Sequence, residues 1–256
     1  MLNEMTLQPL DRYHWQNIRL VASDMDGTLT QKEKFTPDLL MAFNKLAQAG
    51  IDVLITTGRS AGWVQAIATY LPVIGAIAEN GGVLYWQGNP QPIILSEKDL
   101  NSHRQQLARV FALLQAKFPQ IQESADNVFR LTDWTFDVAN LTPEELEQID
   151  GICQAEGYGF TYSTIQCHLK PQYQDKAYGL QRVFGQYFPD LEPEQIVTVG
   201  DSPNDESMFN PQQFPLSVGV ANVAKYCDRL IYLPTYITNQ FEGAGFCELT
   251  ELICHF

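Results

Sequence analysis

Apolar and polar positions along the chain follow two alternating rhythms. Ile18 to Ser23 is a short apolar run that ends on Asp24-Met25-Asp26-Gly27-Thr28. From Pro37 to Ala49, Leu39, Leu40, Phe43, Leu46 and Ala47 recur at the spacing of one helix face, and Gly50 stops the run. Ile51 to Thr56 is a second apolar strand, followed by Thr57-Gly58-Arg59-Ser60. Ala61 to Tyr70 reads as a helix with Pro72 just beyond it, and Ile74 to Ala78 as a third strand. Strand, helix, strand, helix, strand predicts parallel pairing through right-handed crossovers.

The rhythm changes after Glu79-Asn80-Gly81-Gly82. Val83 to Trp86 and Ile93 to Leu95 read as short strands around the turn-forming Gly88-Asn89-Pro90. Glu97 to Phe118 is a long helix with Leu100, Leu107, Val110, Phe111 and Leu114 on its apolar side, and Phe129 to Val138 supplies strand candidates. At the next helix start Thr142 caps, Pro143 takes the first helical position and Glu145 closes a capping box. Phe160 to Ser163 and Ile165 to Leu169 are again strand-like. Two strand pairs with long helices predict a small inserted α+β lid over Leu84 to Pro171. Parallel character then returns: a helix from Lys176 to Phe188, a strand from Gln195 to Val199 running into Gly200-Asp201-Ser202, a short helix from Pro203 to Phe209, and strands at Phe214 to Val218 and Leu230 to Leu233. The expected fold is α/β: a Rossmann-like parallel sheet built from residues 1–83 and 172–256, with an α+β cap at 84–171.

Composition narrows the classes. With 256 residues, 45% hydrophobic and 18% charged, the chain has ample material for a buried core. No stretch reaches the roughly 18 apolar residues of a membrane span. Met1 to Ile18 mixes Glu4, Asp11, Arg12 and His14 with apolar residues, unlike a signal peptide, so the cytoplasm is the expected location. The five cysteines form no CxxC and read as free thiols. A net charge of -14 without any Lys/Arg run argues against nucleic acid as a partner. It does not exclude a small anionic substrate, because backbone amides, one lysine and a bound cation can reverse the field inside a pocket.

The chemistry gathers at strand ends, where open α/β sheets place their ligands. Asp24 and Asp26 follow the first strand, Thr57 the second, and Asp201, Asn204 and Asp205 a later one; Lys176 opens a helix between lid and core. Two close carboxylates repel each other, and a divalent cation relieves that cost. Asp201 adds an oxygen ligand and Asp205 supports it directly or through water, a set that suits Mg²⁺. Gly27 lets the backbone turn closely around a phosphate, Thr28 and Thr57 offer hydroxyl donors, and Lys176 neutralises charge. One carboxylate can attack phosphorus while the other handles the proton. Each motif alone has an ordinary reading: D-x-D-G as a calcium site or a turn, TTGR as a helix cap with a solvated Arg59, GDSPND as an acidic turn, Lys176 as a surface lysine.

Together, DMDGTLT at Asp24 to Thr30, TTGRS at Thr56 to Ser60, Asp175-Lys176 and GDSPND at Gly200 to Asp205 resemble the four motifs of the haloacid dehalogenase-like (HAD) hydrolase superfamily, over nearly the whole chain. The resemblance implies Asp24 as nucleophile and Asp26 as general acid/base whose backbone carbonyl also meets Mg²⁺. It implies Thr57, Lys176, Asn204, Gly27 and Thr28 around the phosphate, and Asp24, Asp26, Asp201 and Asp205 around the metal. Asp26 excludes the dehalogenase pattern but not a mutase. The long insertion resembles the type IIB cap of Cof-like enzymes, a cap that sucrose-phosphate phosphatase, mannosyl-3-phosphoglycerate phosphatase and phosphomannomutase also carry. ENGG strengthens that comparison and implies Glu79 and Asn80 at the phosphate entrance. The implied activity is Mg²⁺-dependent hydrolysis of a phosphomonoester through an aspartyl-phosphate, on a small sugar phosphate or phosphorylated glycoside. A broad-specificity Cof-like phosphatase, a phosphomutase and a non-catalytic HAD-like binding protein are the alternatives. In the cap, Gln166, His168 and Lys170 share one strand face. That face either reads sugar hydroxyls or a second anion, or is the wet side of the cap sheet. Asp133, Thr135 and Asp137 are further candidates, and Trp134 either packs in the cap or stacks on a sugar. The expected partner is a small phosphorylated metabolite; neither nucleic acid nor membrane is expected.

Overall fold

The computed structural model describes residues 7–11, 14–96, 99–163 and 166–255. Strands β1 (Gln8–Pro9) and β2 (Leu20–Ser23) lead into helix α1 (Pro37–Gln48), strand β3 (Asp52–Thr56), helix α2 (Ala61–Tyr70) and strand β4 (Gly75–Ala78). Strands β5 (Val83–Trp86) and β6 (Ile93–Ile94) follow, then α3 (Leu100–Lys117), β7 (Trp134–Asp137), α4 (Pro143–Ala155), β8 (Tyr158–Tyr162) and β9 (Gln166–Pro171). The chain ends with α5 (Lys176–Tyr187), β10 (Ile196–Gly200), β11 (Leu216–Gly219), β12 (Tyr236–Ile237) and α6 (Glu242–Cys254).

Nine strands form the large sheet in the order β1-β12-β11-β10-β2-β3-β4-β5-β6. From β1 to β4 all its neighbours pair parallel. Its central strands are apolar on both faces because helices cover both. Leu20, Ala22, Leu54 and Ile77 pack toward α5, and Val21, Val53, Ile55 and Ala76 toward α1, α2 and α6. Helix α1 shows how the sequence achieves this. The Thr36 hydroxyl accepts from Leu39 N at 3.2 Å, and Pro37 starts the helix with no donor to satisfy. Leu39, Phe43 and Leu46 are then fully buried, each stabilising by about 2 kcal/mol.

Outside the cap, two expected elements differ from the structure. Leu84 to Trp86 and Ile93–Ile94, expected in the lid, extend the large sheet with Val83 as an antiparallel hairpin. Glu79, Asn80 and Gly81, all at positive φ, reverse the chain so tightly that β5 falls back against β4. Leu230 to Leu233 is not a strand. Glu206 Oε1 accepts from the Ile231 and Tyr232 amides at 3.0 and 3.4 Å, and Pro234 has no amide to give, so pairing waits for β12.

The cap is an antiparallel β7-β9-β8 sheet backed by α3 and α4. Only Trp134–Asp137 of the expected Phe129 to Val138 stretch is strand; Ala125–Phe129 forms a short 3-10 turn instead. In β9 the period of two sends Cys167 and Leu169 into the cap core with Leu107, Val110 and Phe136. Gln166, His168 and Lys170 lie on the opposite face. Trp134 belongs to the cap interior, with Phe111 stacked on one side at 5.9 Å and the Arg104 guanidinium 4.3 Å from its centre. Glu79 pins the cap to the core: its carboxylate accepts from Ala61 N at 2.9 Å, Thr132 N at 2.6 Å and Thr132 Oγ1 at 2.8 Å. It is fully buried there, away from the cavity beside Asp24 whose entrance it was expected to border. No helix among the described residues is long and apolar enough to cross a membrane. The five cysteines are unpaired thiols.

Candidate active site

Parallel pairing in register brings the ends of β2, β3 and β10 to one edge of the sheet. Asp24 leaves β2 there, with its amide donating to Val199 O on β10 at 2.8 Å. The chain then folds over Met25, whose carbonyl accepts from the Leu29 and Thr30 amides at 2.9 and 3.1 Å. Gly27 supplies the positive φ of 85° that this turn needs.

Lys176 is the pivot. Helix α5 starts at this residue, and Asp175 caps it by accepting from Tyr178 N at 2.7 Å. The Lys176 side chain is fully buried; Nζ donates to Asp24 Oδ1 at 2.5 Å and to Asp205 Oδ1 at 2.6 Å. The other Asp205 oxygen accepts from the amides of Asp201 and Ser202 at 2.8 and 3.0 Å. Both Asp205 oxygens are thus engaged, and the residue holds the lysine and the Asp201 loop together. Burial alone would lower the Lys176 pKa, but Asp205 and Asp24 outweigh it and raise it, so the ammonium stays charged.

Asp24, Asp201 and Asp205 each offer an oxygen within 4.8 Å of the others. Burial, with repulsion from Asp205, pushes the Asp24 carboxyl up to about 7 despite Lys176. Burial and Asp24 likewise raise Asp201 well above the usual carboxylate range. Asp24 Oδ2 is buried without a hydrogen-bond partner. An orphaned carboxylate oxygen among mutually repelling hard ligands fits a small divalent cation. Asn222 steadies this corner: its Nδ2 donates to Asp201 Oδ2 at 2.5 Å and to Gly27 O at 3.1 Å. Nothing in the sequence reading singled out Asn222, although it follows the β11 strand end as the other polar clusters follow theirs.

A cavity of about 30 Å³ sits over Asp24, walled by Asp26, Thr57, Gly58, Arg59 and Asn204 from the core and by Gln166 and His168 from the cap. Thr28 is turned away from it; its hydroxyl donates to Asp201 Oδ1 at 3.2 Å. Gly27 lines a second opening that reaches Asp201 and Asn222 from the other side. Lys170 is not in the cavity wall: it is buried and bonds the Gln174 carbonyl. Asn80 Oδ1 accepts from Asn204 Nδ2 at 3.2 Å, behind the wall. Arg59 is not the solvated side chain of an isolated helix cap. Its Nε and Nη2 grip the two Asp26 oxygens at 3.0 and 2.6 Å.

The cap is fastened over this cavity by Arg130. Its fully buried guanidinium donates to the Gly58 carbonyl at 3.0 Å, to Asp133 at 2.9 Å and to Gln166 Oε1 at 3.1 Å. Asp133 in turn accepts from His168 Nδ1 at 2.9 Å. Burial lowers the His168 pKa in spite of that carboxylate. Thr135 is spent inside the cap on Asn127, and Asp137 is exposed.

Comparison with known proteins agrees with this architecture. Residues 21–150 match the family model of haloacid dehalogenase-like hydrolases. A phosphoglycolate phosphatase of Thermoplasma acidophilum is 24% identical over 241 residues, covering 93% of this chain and 98% of that protein. A solved Thermoplasma acidophilum structure superimposes with a TM-score of 0.74 at 22% identity, over 92% of this chain and 99% of the other. The C-terminal domain of the C. albicans trehalose-6-phosphate phosphatase does so with a TM-score of 0.70 at 16% identity, over 97% and 99%.

Proposed function

This chain belongs to the haloacid dehalogenase-like hydrolases, and on that premise we propose that it is a Mg²⁺-dependent phosphatase that cleaves a compact phosphorylated carboxylic acid. Asp24 is the nucleophile. One of its oxygens attacks phosphorus as the bond to the leaving oxygen breaks, and Asp26 gives that oxygen its proton. Water then attacks the aspartyl-phosphate, loses a proton to Asp26 and displaces Asp24. Lys176 holds the nucleophile in line and screens the phosphoryl charge; Thr57 and Asn204 bind phosphoryl oxygens from the cavity wall. Asp24 Oδ2, Asp201 and the Asp26 carbonyl would hold Mg²⁺, with Asn222 and Asp205 orienting them. When bound, the ion neutralises the carboxylates and the phosphoryl group. Gly27 and Thr28 shape the loop rather than touch phosphate. The moving lid is β7-β9-β8 with α3 and α4, and the β5-β6 hairpin stays with the core.

One observation carries the choice of substrate. A guanidinium, that of Arg59, stands in the cavity wall beside Asp26, where a carboxylate on the leaving group would meet it. The relatives named phosphoglycolate phosphatase, alike over nearly the whole chain, support the same class. A small sugar phosphate is the second reading. Gln166 and His168 favour it, because their polar edges face the cavity and an opened cap would admit a ring. Phosphate release with Mg²⁺ across 2-phosphoglycolate, phosphoglycerates and hexose phosphates separates the two. A hexose phosphate with the highest kcat/KM overturns the first reading.

A further inference from the structure

Arg59 carries more than the phosphatase reading asks of it. Its Nε donates to Asp26 Oδ2 at 3.0 Å and its Nη2 to Asp26 Oδ1 at 2.6 Å, fork against fork. The residue that must face the leaving oxygen therefore has both of its oxygens turned into the Arg59 fork. The ring of Trp63 lies 5.1 Å from the guanidinium and helps fix its position. The pair is only partly buried, at 29% and 26% side-chain exposure, so water screens it and another carboxylate can compete for it.

Arg59 is also the one standing cation in the cavity wall among the described residues. Lys170 lies outside it, Lys176 is committed to two carboxylates, and Arg130 is committed to Asp126, Asp133, Gln166 and the Gly58 carbonyl. His168 spends one nitrogen on Asp133.

We propose that Arg59 is a latch that the substrate itself opens: the carboxylate of a phosphorylated hydroxy acid takes the Arg59 fork from Asp26, and the freed Asp26 turns to the leaving oxygen. The carboxylate is then a condition for turnover as well as a handle for binding. A phosphate ester of the same size without the carboxylate enters the cavity but leaves Asp26 latched. Selectivity arises in kcat, because the exchange prepares the chemical step. The inference rests on the phosphorylated-acid reading above.

The test compares 2-phosphoglycolate with 2-hydroxyethyl phosphate, which lacks only the carboxylate charge, under saturating Mg²⁺. Wild type is expected to favour the acid about 100-fold in kcat/KM, mostly through kcat, as suits a charge-assisted contact. Arg59→Gln should lose about 100-fold on the acid and gain on the hydroxyethyl ester, because Asp26 is no longer held. Arg59→Lys keeps the charge without the fork and should retain a preference of about 10-fold. Equal losses on both esters in Arg59→Gln, or an undiminished preference, overturn the latch. Equal turnover of both esters by wild type also overturns it and leaves the phosphatase reading standing. Wild type inactive on both esters but active on hexose phosphates overturns the phosphorylated-acid reading, and the latch with it.

Discussion

Replacing Lys176 by methionine removes the ammonium while filling the space of its stem. Lys176 is fully buried between Asp24 at 2.5 Å and Asp205 at 2.6 Å, and those side chains are themselves 5% and 0% exposed. Without it, Asp24, Asp201 and Asp205 remain within 4.8 Å of one another with no internal counter-charge. Breaking a buried pair by removing one partner costs about 3–5 kcal/mol. At about 2–4 °C per kcal/mol for a chain of this size, Tm should fall by about 10 °C in metal-free buffer. Two corollaries make the reasoning specific. Added Mg²⁺ should raise the Tm of the variant more than that of wild type, since a more negative site binds the ion more tightly. Asp205→Asn in the same background should recover part of the loss without restoring phosphate release. Thermal unfolding by circular dichroism, with EDTA and with Mg²⁺, reads all of this. A metal-free Tm within about 2 °C of wild type would refute the electrostatic argument.

Asn222→Ala frees Asp201 Oδ2 and should raise the Mg²⁺ concentration for half-maximal phosphate release by about 10-fold; an unchanged titration would remove Asn222 from the metal corner. Gly27→Ala forces a side chain onto a φ of 85° and sets its Cβ 2.7 Å from Asp201 Oδ2. It should cost about 1–2 kcal/mol in denaturant unfolding and most of the activity, and wild-type behaviour in both would contradict the turn assignment. Glu79→Gln turns an NH₂ toward donors that now meet a carboxylate. A loss of about 1–3 kcal/mol is expected, and neutrality would mean that the cap anchor is not strained by the change.

Much of the fold and site was legible because local pattern and topology agree. Asp24, Thr57 and Asp201 each follow an apolar run, and parallel strands bring such ends together without any tertiary knowledge. The same logic reaches Asn222 after β11, but a single asparagine in a helical turn has no motif to mark it. The Arg59 grip on Asp26 spans 33 residues and depends on how α2 leaves the sheet, which periodicity does not encode. Arg130 escapes for a related reason, because its meaning lies in the Gly58 carbonyl of the core, and Asp133, a candidate reader of the leaving group, instead pairs with Arg130 and His168. The β5-β6 hairpin joins the core sheet although most of it lies within the expected lid, because strand pattern says nothing about which sheet a strand joins. Leu230 to Leu233 has strand composition, yet Glu206 takes two of its amides first.

The claim on which the rest depends is that Asp24 carries the phosphoryl group. Mixing the protein with a radiolabelled phosphate ester and Mg²⁺, quenching in acid within one turnover and digesting the chain tests it directly. The account predicts label on the peptide containing Asp24, released by hydroxylamine, and neither label nor turnover in Asp24→Asn. Sustained hydrolysis by Asp24→Asn, or turnover in wild type with no protein-bound phosphate at any time, would contradict it.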